Sequence, residues 1–336
     1  LAPVPPLGVH LRNGMAGVVL IGLLVTAYLL HTMPGRGAAA SFSLLTGVAL
    51  GLLFERGRFC FFCILRDLIE DRNSAPLYAI LGALAVGGIG YAIVFGAFLP
   101  NAQSGRLPPG AHIGPVSWVL VAAGLTFGLG MALSGACISG HLYRLGQGYM
   151  RAPIALFGSL IGFGLGFYTW NALYIGAIAA APAPWLPRWL GYGGALAVHL
   201  LVIGGLALLL LRWLPALPAQ PARDLTLGRL RDLLIHERWH PLVTGSLVGL
   251  VGVFAYLRVE PLGVTAQLGS IARTALAGRG LLPERLHGLD TLAGCATQVI
   301  QTITDNGWLV SGLILASLAA ALLGNRFQLS RLTRVN

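Results

Sequence analysis

The chain has 336 residues, 56% of them apolar before its 47 glycines are counted and only 10% charged, where soluble domains carry about 25% charged residues. That composition excludes a soluble enzyme, and apolar stretches recurring along the whole length suit repeated crossing of about 30 Å of hydrocarbon, so the expected fold is an all-α polytopic membrane bundle. The net charge of +11 rests on 22 basic residues, every one an arginine; without lysine there is no Walker-type phosphate loop, and arginines scattered in short connections form no basic stripe for nucleic acid.

In chain order, Leu1–Arg12 is Pro-rich and lacks a small-residue cleavage site, so Met15–Met33 reads as a retained first helix. Full-length spans are predicted at Pro76–Leu99, Pro115–Ser134, Ala152–Trp170, Leu190–Leu211, Pro241–Leu257 and Trp308–Gly324. Three segments are too short: Ser41–Phe54, which stops at Glu55 and Arg56, Leu262–Ala277 and Gly288–Ile303. Short apolar segments are re-entrant or broken, and irregular backbone survives at membrane depth only where protein encloses it. These three are therefore expected to meet at the centre.

Pro215–His240 is the one long polar connector, with Leu227, Leu230 and Leu234 on one face of an amphipathic surface helix. It is either an interfacial linker or a docking platform for a cytosolic protein. It divides a first membrane half (1–214, with an added N-terminal helix) from a second (241–328), and 329–336 forms a basic tail. On this topology Arg12, Arg56, Arg58, Arg66, Arg72, Arg144, Arg151, Arg212, Arg326 and the arginines of connector and tail fall on one side. Arg36, Arg106, Arg188, Arg258, Arg273, Arg279 and Arg285 fall on the other. The excess predicts a multi-pass cell-membrane protein with both termini in the cytoplasm.

An internal repeat emerges when glycines are aligned on cysteines. Gly47, Gly51 and Cys60 have the same offsets as Gly124, Gly128 and Cys137; Gly245 and Gly249 repeat the glycine pair with Arg258 in the cysteine position, and Cys295 comes later. Small-xxx-small spacing lets helices approach closely, and glycine-interrupted short helices in matching halves also mark midplane transporter sites. Of the four cysteines, Cys60, Cys137 and Cys295 close the motifs GRFC, SGAC and LAGC. A single cysteine is commonly a small hydrophobe; three in equivalent loops point to function. Zinc or an iron-sulfur centre wants four ligands. Only Cys60 with Cys63 is ligand-like, with His141 near a cysteine motif, so no metal or other cofactor is expected. Cys60 and Cys63 could also be a redox pair.

GLLFERGRFCFFCILRDL (Gly51–Leu68), GACISGHLYRLGQG (Gly135–Gly148), PLGVT (Pro261–Thr265), LAGC (Leu292–Cys295) and GNRF (Gly324–Phe327) together resemble the YeeE/YedE family of sulfur-compound transporters, over residues 42–328. The resemblance implies a helical bundle with loops buried at its centre, carrying thiosulfate inward by hydrogen bonding to successive thiols. By motif these are Cys60, Cys137 and Cys295, with Cys63 outside the pattern. It also implies a small cytosolic sulfur-carrier protein as partner, for which Asp224–Trp239 and Arg326–Arg334 are the places to look. The chain departs from the pattern at Ala296, Thr297 and Gln298, where Ser-Gly-His is expected, and PLGVT lacks a cysteine. These departures leave room for another sulfur or selenium species.

The residues are compatible with that role. A dianion entering a low-dielectric interior faces an idealised Born cost of about 20 kcal/mol per charge, so its hydration shell must be replaced. Amides of glycine-rich turns at helix N-termini can do this, at Gly57, Gly135 and Gly294, as can Arg58, Ser134, Ser139 and Thr265. Neutral thiols are weak donors, which keeps each site shallow enough to leave, and they match a polarizable sulfane sulfur.

Arg58 reads as either an interface anchor or an anion site, with Glu55 and Asp67 as counter-charges. Arg56, Arg66, Arg72 and Arg144 read as markers of the cytoplasmic boundary, Arg66 pairing with Glu70 at i+4. His141 is expected to satisfy a local hydrogen bond and Tyr143 to pack. Two functions fit: transport of thiosulfate or a close relative without covalent chemistry, and a membrane thiol oxidoreductase in which Cys60 and Cys63 exchange disulfides with Cys137 or Cys295. Mass spectrometry of alkylated, unreduced protein separates them. Transport predicts alkylation of all four thiols; a quantitative disulfide between any pair favours the oxidoreductase.

Overall fold

The computed structural model describes residues 8–108, 110–111, 113–215, 226–291 and 297–330. They form α1 (Val9–Thr32), α2 (Gly37–Gly57), α3 (Phe61–Glu70), α4 (Leu77–Phe98), α5 (Trp118–Ser134), α6 (Ile138–Gly146), α7 (Arg151–Leu173), α8 (Leu186–Leu210), α9 (Leu227–Ile235), α10 (Pro241–Arg258), α11 (Val264–Ala277) and α12 (Asp305–Leu323). Among the described residues there is no strand beyond one isolated bridge between Tyr149 and Ser330. Eight helical stretches are long and apolar enough to cross a membrane. Hydrocarbon offers backbone amides and carbonyls no partner but one another, and helices satisfy them within a single segment.

The seven expected spans correspond to α1, α4, α5, α7, α8, α10 and α12. The expectation for Ser41–Phe54 is corrected: α2 has 21 residues and is full length. Its start is a run of small residues that packs on α1, where a Cβ on Gly37 would lie 2.2 Å from the Leu30 carbonyl oxygen. Its end is prolonged because Glu55 and Arg56 are buried in an ion-pair cluster and stay within the helix. α11, with 14 residues, is short as expected, and of Gly288–Ile303 the described part holds a single 3-10 turn at Leu289–Thr291. The connector contains a helix, α9, but the side chains of Leu227, Leu230 and Leu234 lie outside the described residues, as does the tail from residue 331.

Two pairs of parallel helices carry the closest packing. An ideal Cβ on Gly47 would stand 2.0 Å from the Leu309 carbonyl oxygen of α12, and one on Gly51 2.3 Å from that of Leu313. In α10, Gly245 and Gly249 meet the Ala79 and Ala83 carbonyl oxygens of α4 at 1.7 and 2.5 Å in the same sense. Lipid is as apolar as leucine, so such backbone approach and its dispersion contacts hold helices together where no hydrophobic drive exists. Ser317 Oγ adds a bond to the Gly51 carbonyl at 3.1 Å. The middle copy of the glycine repeat differs: Gly124 and Gly128 meet nothing within 4 Å, and α5 buries only Met131.

The bundle has two polar ends. At one, Arg36 pairs with Asp305 at the start of α12. At the other, Arg12 bonds Asn325 beyond the end of α12, and Glu55, with no exposed side-chain surface, collects the surrounding arginines. Arg326 reaches its carboxylate through Nε at 2.6 Å and Nη2 at 3.0 Å. Gln147 donates to it at 3.3 Å, Arg56 Nε lies at 3.5 Å, and Arg238 donates to its backbone carbonyl.

Two sets of variants test this packing. Gly47→Ala and Gly245→Ala each destabilise by about 1–3 kcal/mol through overpacking, seen as a lower melting temperature in detergent. Gly124→Ala, with open space around it, lowers nothing. Glu55→Gln strands buried guanidinium groups and costs about 3–5 kcal/mol.

Candidate functional site

Two of the three repeat copies make the same turn after their spanning helix. α2 gives way at Arg58, in the left-handed region with φ 50°, and Cys60 is the N-cap of α3. α5 gives way at Gly135, with φ 81°, and Cys137 is the N-cap of α6. Glycine adopts that conformation freely; for arginine it costs about 1–2 kcal/mol. Both turns deliver a cysteine two residues later to the start of a short helix. Gly140 N–H donates to Cys137 Sγ at 3.3 Å, and the Cys60 and Cys137 thiols lie 3.7 Å apart. Cys60 has no exposed surface. Each helix start presents first-turn amides and the positive end of its dipole.

The wall around the pair is apolar, built from Leu50, Phe54, Met131, Leu142, Leu268 and Leu313. Phe54 stacks on Phe59 at 5.4 Å. No acid among the described residues bonds either thiol. Hydrogen bonds made to these neutral donors in such low-dielectric surroundings are electrostatically stronger than in water.

The remaining candidates divide. Gly57 ends α2 against Thr244, and the Gly135 carbonyl accepts Arg144 Nη1 at 3.0 Å. Ser134 Oγ donates to the Ala136 carbonyl at 3.1 Å and so serves the turn itself, while Ser139 lies half-buried in the first turn of α6. Arg58 is exposed, and neither expected counter-charge pairs with it. Glu55 is held by Arg326 and Arg56, and Asp67 by Arg66 at 3.3 Å. Arg66 also reaches Glu70 at 3.8 Å, the expected i+4 pair. Thr265 is exposed, because its helical neighbours Val264 and Leu268 are the ones that face the cysteine cluster. Cys295 and Gly294 lie outside the described residues.

The flanks of that segment are nevertheless fixed. Arg273 of α11 donates to the Thr297 carbonyl at 2.7 Å and pairs with Asp290. Gln298 N–H and Ile300 N–H bond Ser270 Oγ and Thr274 Oγ1 of the same helix at 3.1 and 2.9 Å.

Several residues carry more in the structure than their sequence context suggests. Cys63, 4% exposed, belongs to the same cluster and accepts from Arg144 Nη2 at 3.1 Å. Arg144, expected at the cytoplasmic boundary, lies half-buried against this cluster, and Arg56, 3% exposed, lies in the Glu55 ion-pair cluster. Gly140 makes the thiol pair possible, since a Cβ there would stand 2.6 Å from Cys60 Sγ and 3.4 Å from Cys137 Sγ. His141 makes the expected local bond to the Ala136 backbone, while its Nε2 is buried without a partner among the described residues. Tyr143 is buried in the cluster.

A family model described as sulphur transport matches residues 56–335, which include both cysteine turns. The chain belongs to this sulphur-transport family. The thiosulfate transporter TsuA of Escherichia coli K12 is 29% identical over 257 residues, covering 70% of this chain and 67% of that protein. The TsuA of Spirochaeta thermophila is 31% identical over 149 residues, 44% of this chain and 39% of that protein. A probable transporter YedE of Salmonella typhimurium LT2 is 33% identical over 162 residues, 48% of this chain and 36% of its own length. This chain thus spans under half of the latter two. The sulphur-transport protein is a multi-pass membrane protein whose named relatives are transporters.

Two outcomes follow for this family member. Gly140→Ala forces the thiols apart, a misfit of about 1–3 kcal/mol, and is expected to lower substrate uptake in proteoliposomes while the protein still purifies as a folded monodisperse species. Burial opposes ionisation of Asp290, but the Arg273 guanidinium and the Leu286 amide together hold its carboxyl below the ordinary carboxylate value. A depressed carboxylate stabilises at neutral pH and stops doing so as pH falls through its lowered value. Limited proteolysis of the 286–300 segment should accelerate on acidification below the normal carboxylate range, and Asp290→Asn should show that rate already at neutral pH.

Proposed function

We propose that this protein moves thiosulfate, or a closely related sulfur oxyanion, across the membrane through a narrow neck lined by Cys60, Cys137 and Cys295, with no covalent step. The observation that carries the proposal is the 3.7 Å thiol pair at the starts of two short helices. It supplies neutral donors and oriented amides in an apolar collar, what a desolvated dianion needs in order to be held weakly and released. The thiosulfate transporters among the relatives support the choice of substrate. The arginine-rich end formed by Arg12, Arg238 and Arg326 is assigned to the cytoplasm by the positive-inside rule, which makes the direction inward from the Arg36 end.

A small cytosolic sulfur-carrier protein receiving the product would dock at this end, on the connector and the segment beyond Ser330. Arg326 itself is occupied by Glu55, so a pull-down tests the partner with residues 331–336 removed and Arg326 retained.

Uptake of labelled thiosulfate into proteoliposomes tests the path, with Cys60→Ala, Cys137→Ala and Cys295→Ala made singly. Each removes one neutral donor worth about 0.5–1.5 kcal/mol, roughly two- to tenfold in rate. Normal uptake by all three variants would rule out passage along the thiols.

A further inference from the structure

The two short helices bring more than the thiol pair together. α3 carries Cys60 at its cap and Cys63 three residues on; α6 carries Cys137 at its cap, then His141 and Arg144 four and seven residues on. Those spacings place each set along one helix face. The first rung between the helices is Cys60 to Cys137 at 3.7 Å, and the second is Arg144 Nη2 to Cys63 Sγ at 3.1 Å. The second rung lies toward the end where Gln147, just past α6, bonds Glu55.

Arg144 has no carboxylate partner among the described residues. The nearby acids are taken, Glu55 by Arg326 and Arg56, Asp67 and Glu70 by Arg66. Its half-buried guanidinium is left with one carbonyl, one thiol, the Tyr143 side chain and the face of Tyr149 at 5.7 Å, none of them a carboxylate. A cation in a low-dielectric interior without a counter-charge is unfavourable, and an arriving anion relieves it. The thiol is a weak acceptor and yields its place readily. Between the rungs, on the same face of α6, His141 is 5% exposed; its ring bonds the Ala136 backbone and its Nε2 is unpartnered among the described residues, a position that donates to an anion when the ring is protonated.

We infer that Arg144, with Cys63 and His141, forms an anion-binding station one helical turn inward of the Cys60–Cys137 pair, where a doubly charged sulfur oxyanion is held before release toward the arginine-rich end. This rests on the transport reading above and gives it the fixed positive charge that the thiols lack. The fork geometry suits two oxygens of one oxyanion. Sharing Arg144 with the Gly135 carbonyl and Cys63 keeps the station from becoming a trap.

The test measures thiosulfate-dependent thermal stabilisation of the purified protein and the concentration dependence of thiosulfate uptake in proteoliposomes, for wild type, Arg144→Gln and Arg144→Lys. Loss of a charge-assisted bond is expected to raise the half-saturating concentration of R144Q about ten- to a hundredfold and to abolish its thiosulfate-induced shift. Without thiosulfate, R144Q melts somewhat below wild type, having lost its contacts with Gly135, Tyr143 and Cys63; the thiosulfate-induced shift is what separates the station from a merely structural anchor, whose variant would keep that shift. R144K keeps the charge, loses the fork and weakens several-fold, and it carries the test should R144Q fail to accumulate. Wild-type half-saturation and wild-type thermal shift in either variant overturn the station. Absence of both uptake and shift in the wild type overturns the thiosulfate reading itself, and the station with it.

Discussion

A single carboxylate with no solvent contact, Glu55, fixes where the end of α2 stands. It joins the last turn of that helix to the residue after α6, to the segment following α12 and to the connector before α10. Burying one acid among several guanidinium groups is weak evidence for net stability, since desolvation opposes the attraction. Its value here is positional. With the end of α2 held, the turn through Arg58 aims Cys60 at the start of α6, and the pairing with Cys137 follows from that anchoring as much as from any affinity between thiols.

The chemistry around the pair is graded. Outermost in polarity are backbone amides and thiols, which make shallow sites; one turn further stands a cation without an acid. A path that began with the cation would hold a dianion tightly at the narrowest point, and one with no cation would leave the full desolvation penalty to weak donors. On the proposed inward path the neutral rung would come first and the charged rung second, so that each would lower part of the barrier.

Much of this was legible in the sequence because hydrocarbon imposes strict rules on length and patterning. Seven spans, the short α11 and the equivalence of the GRFC and SGAC turns could be read directly. The errors have common physical origins. α2 was truncated because Glu55 and Arg56 look like a water boundary until their burial partners, more than two hundred residues away at Ala320 and Arg326, are known. Cys63 stands outside the glycine-cysteine motifs, and its contact with Arg144 exists only because α6 approaches α3. Gly140 could not be singled out among so many glycines, since what distinguishes it is the sulfur atom facing it. The glycine spacing of the middle repeat was over-read in the opposite sense: equal offsets in Gly124 and Gly128 brought no equal contacts.

The interlocked backbones of α2 with α12 and of α4 with α10 carry a mechanical consequence. Where carbonyl oxygens fill the space a methyl group would need, one helix cannot slide or tilt on its neighbour without collision, so the paired spans behave as struts. Compliance is left to the short helices and the two left-handed turns that suspend them, one relaxed at Gly135 and one stiff at Arg58. Cargo would then advance by small adjustments of these suspended tips inside a stationary frame, without the rocking of one half of the molecule against the other.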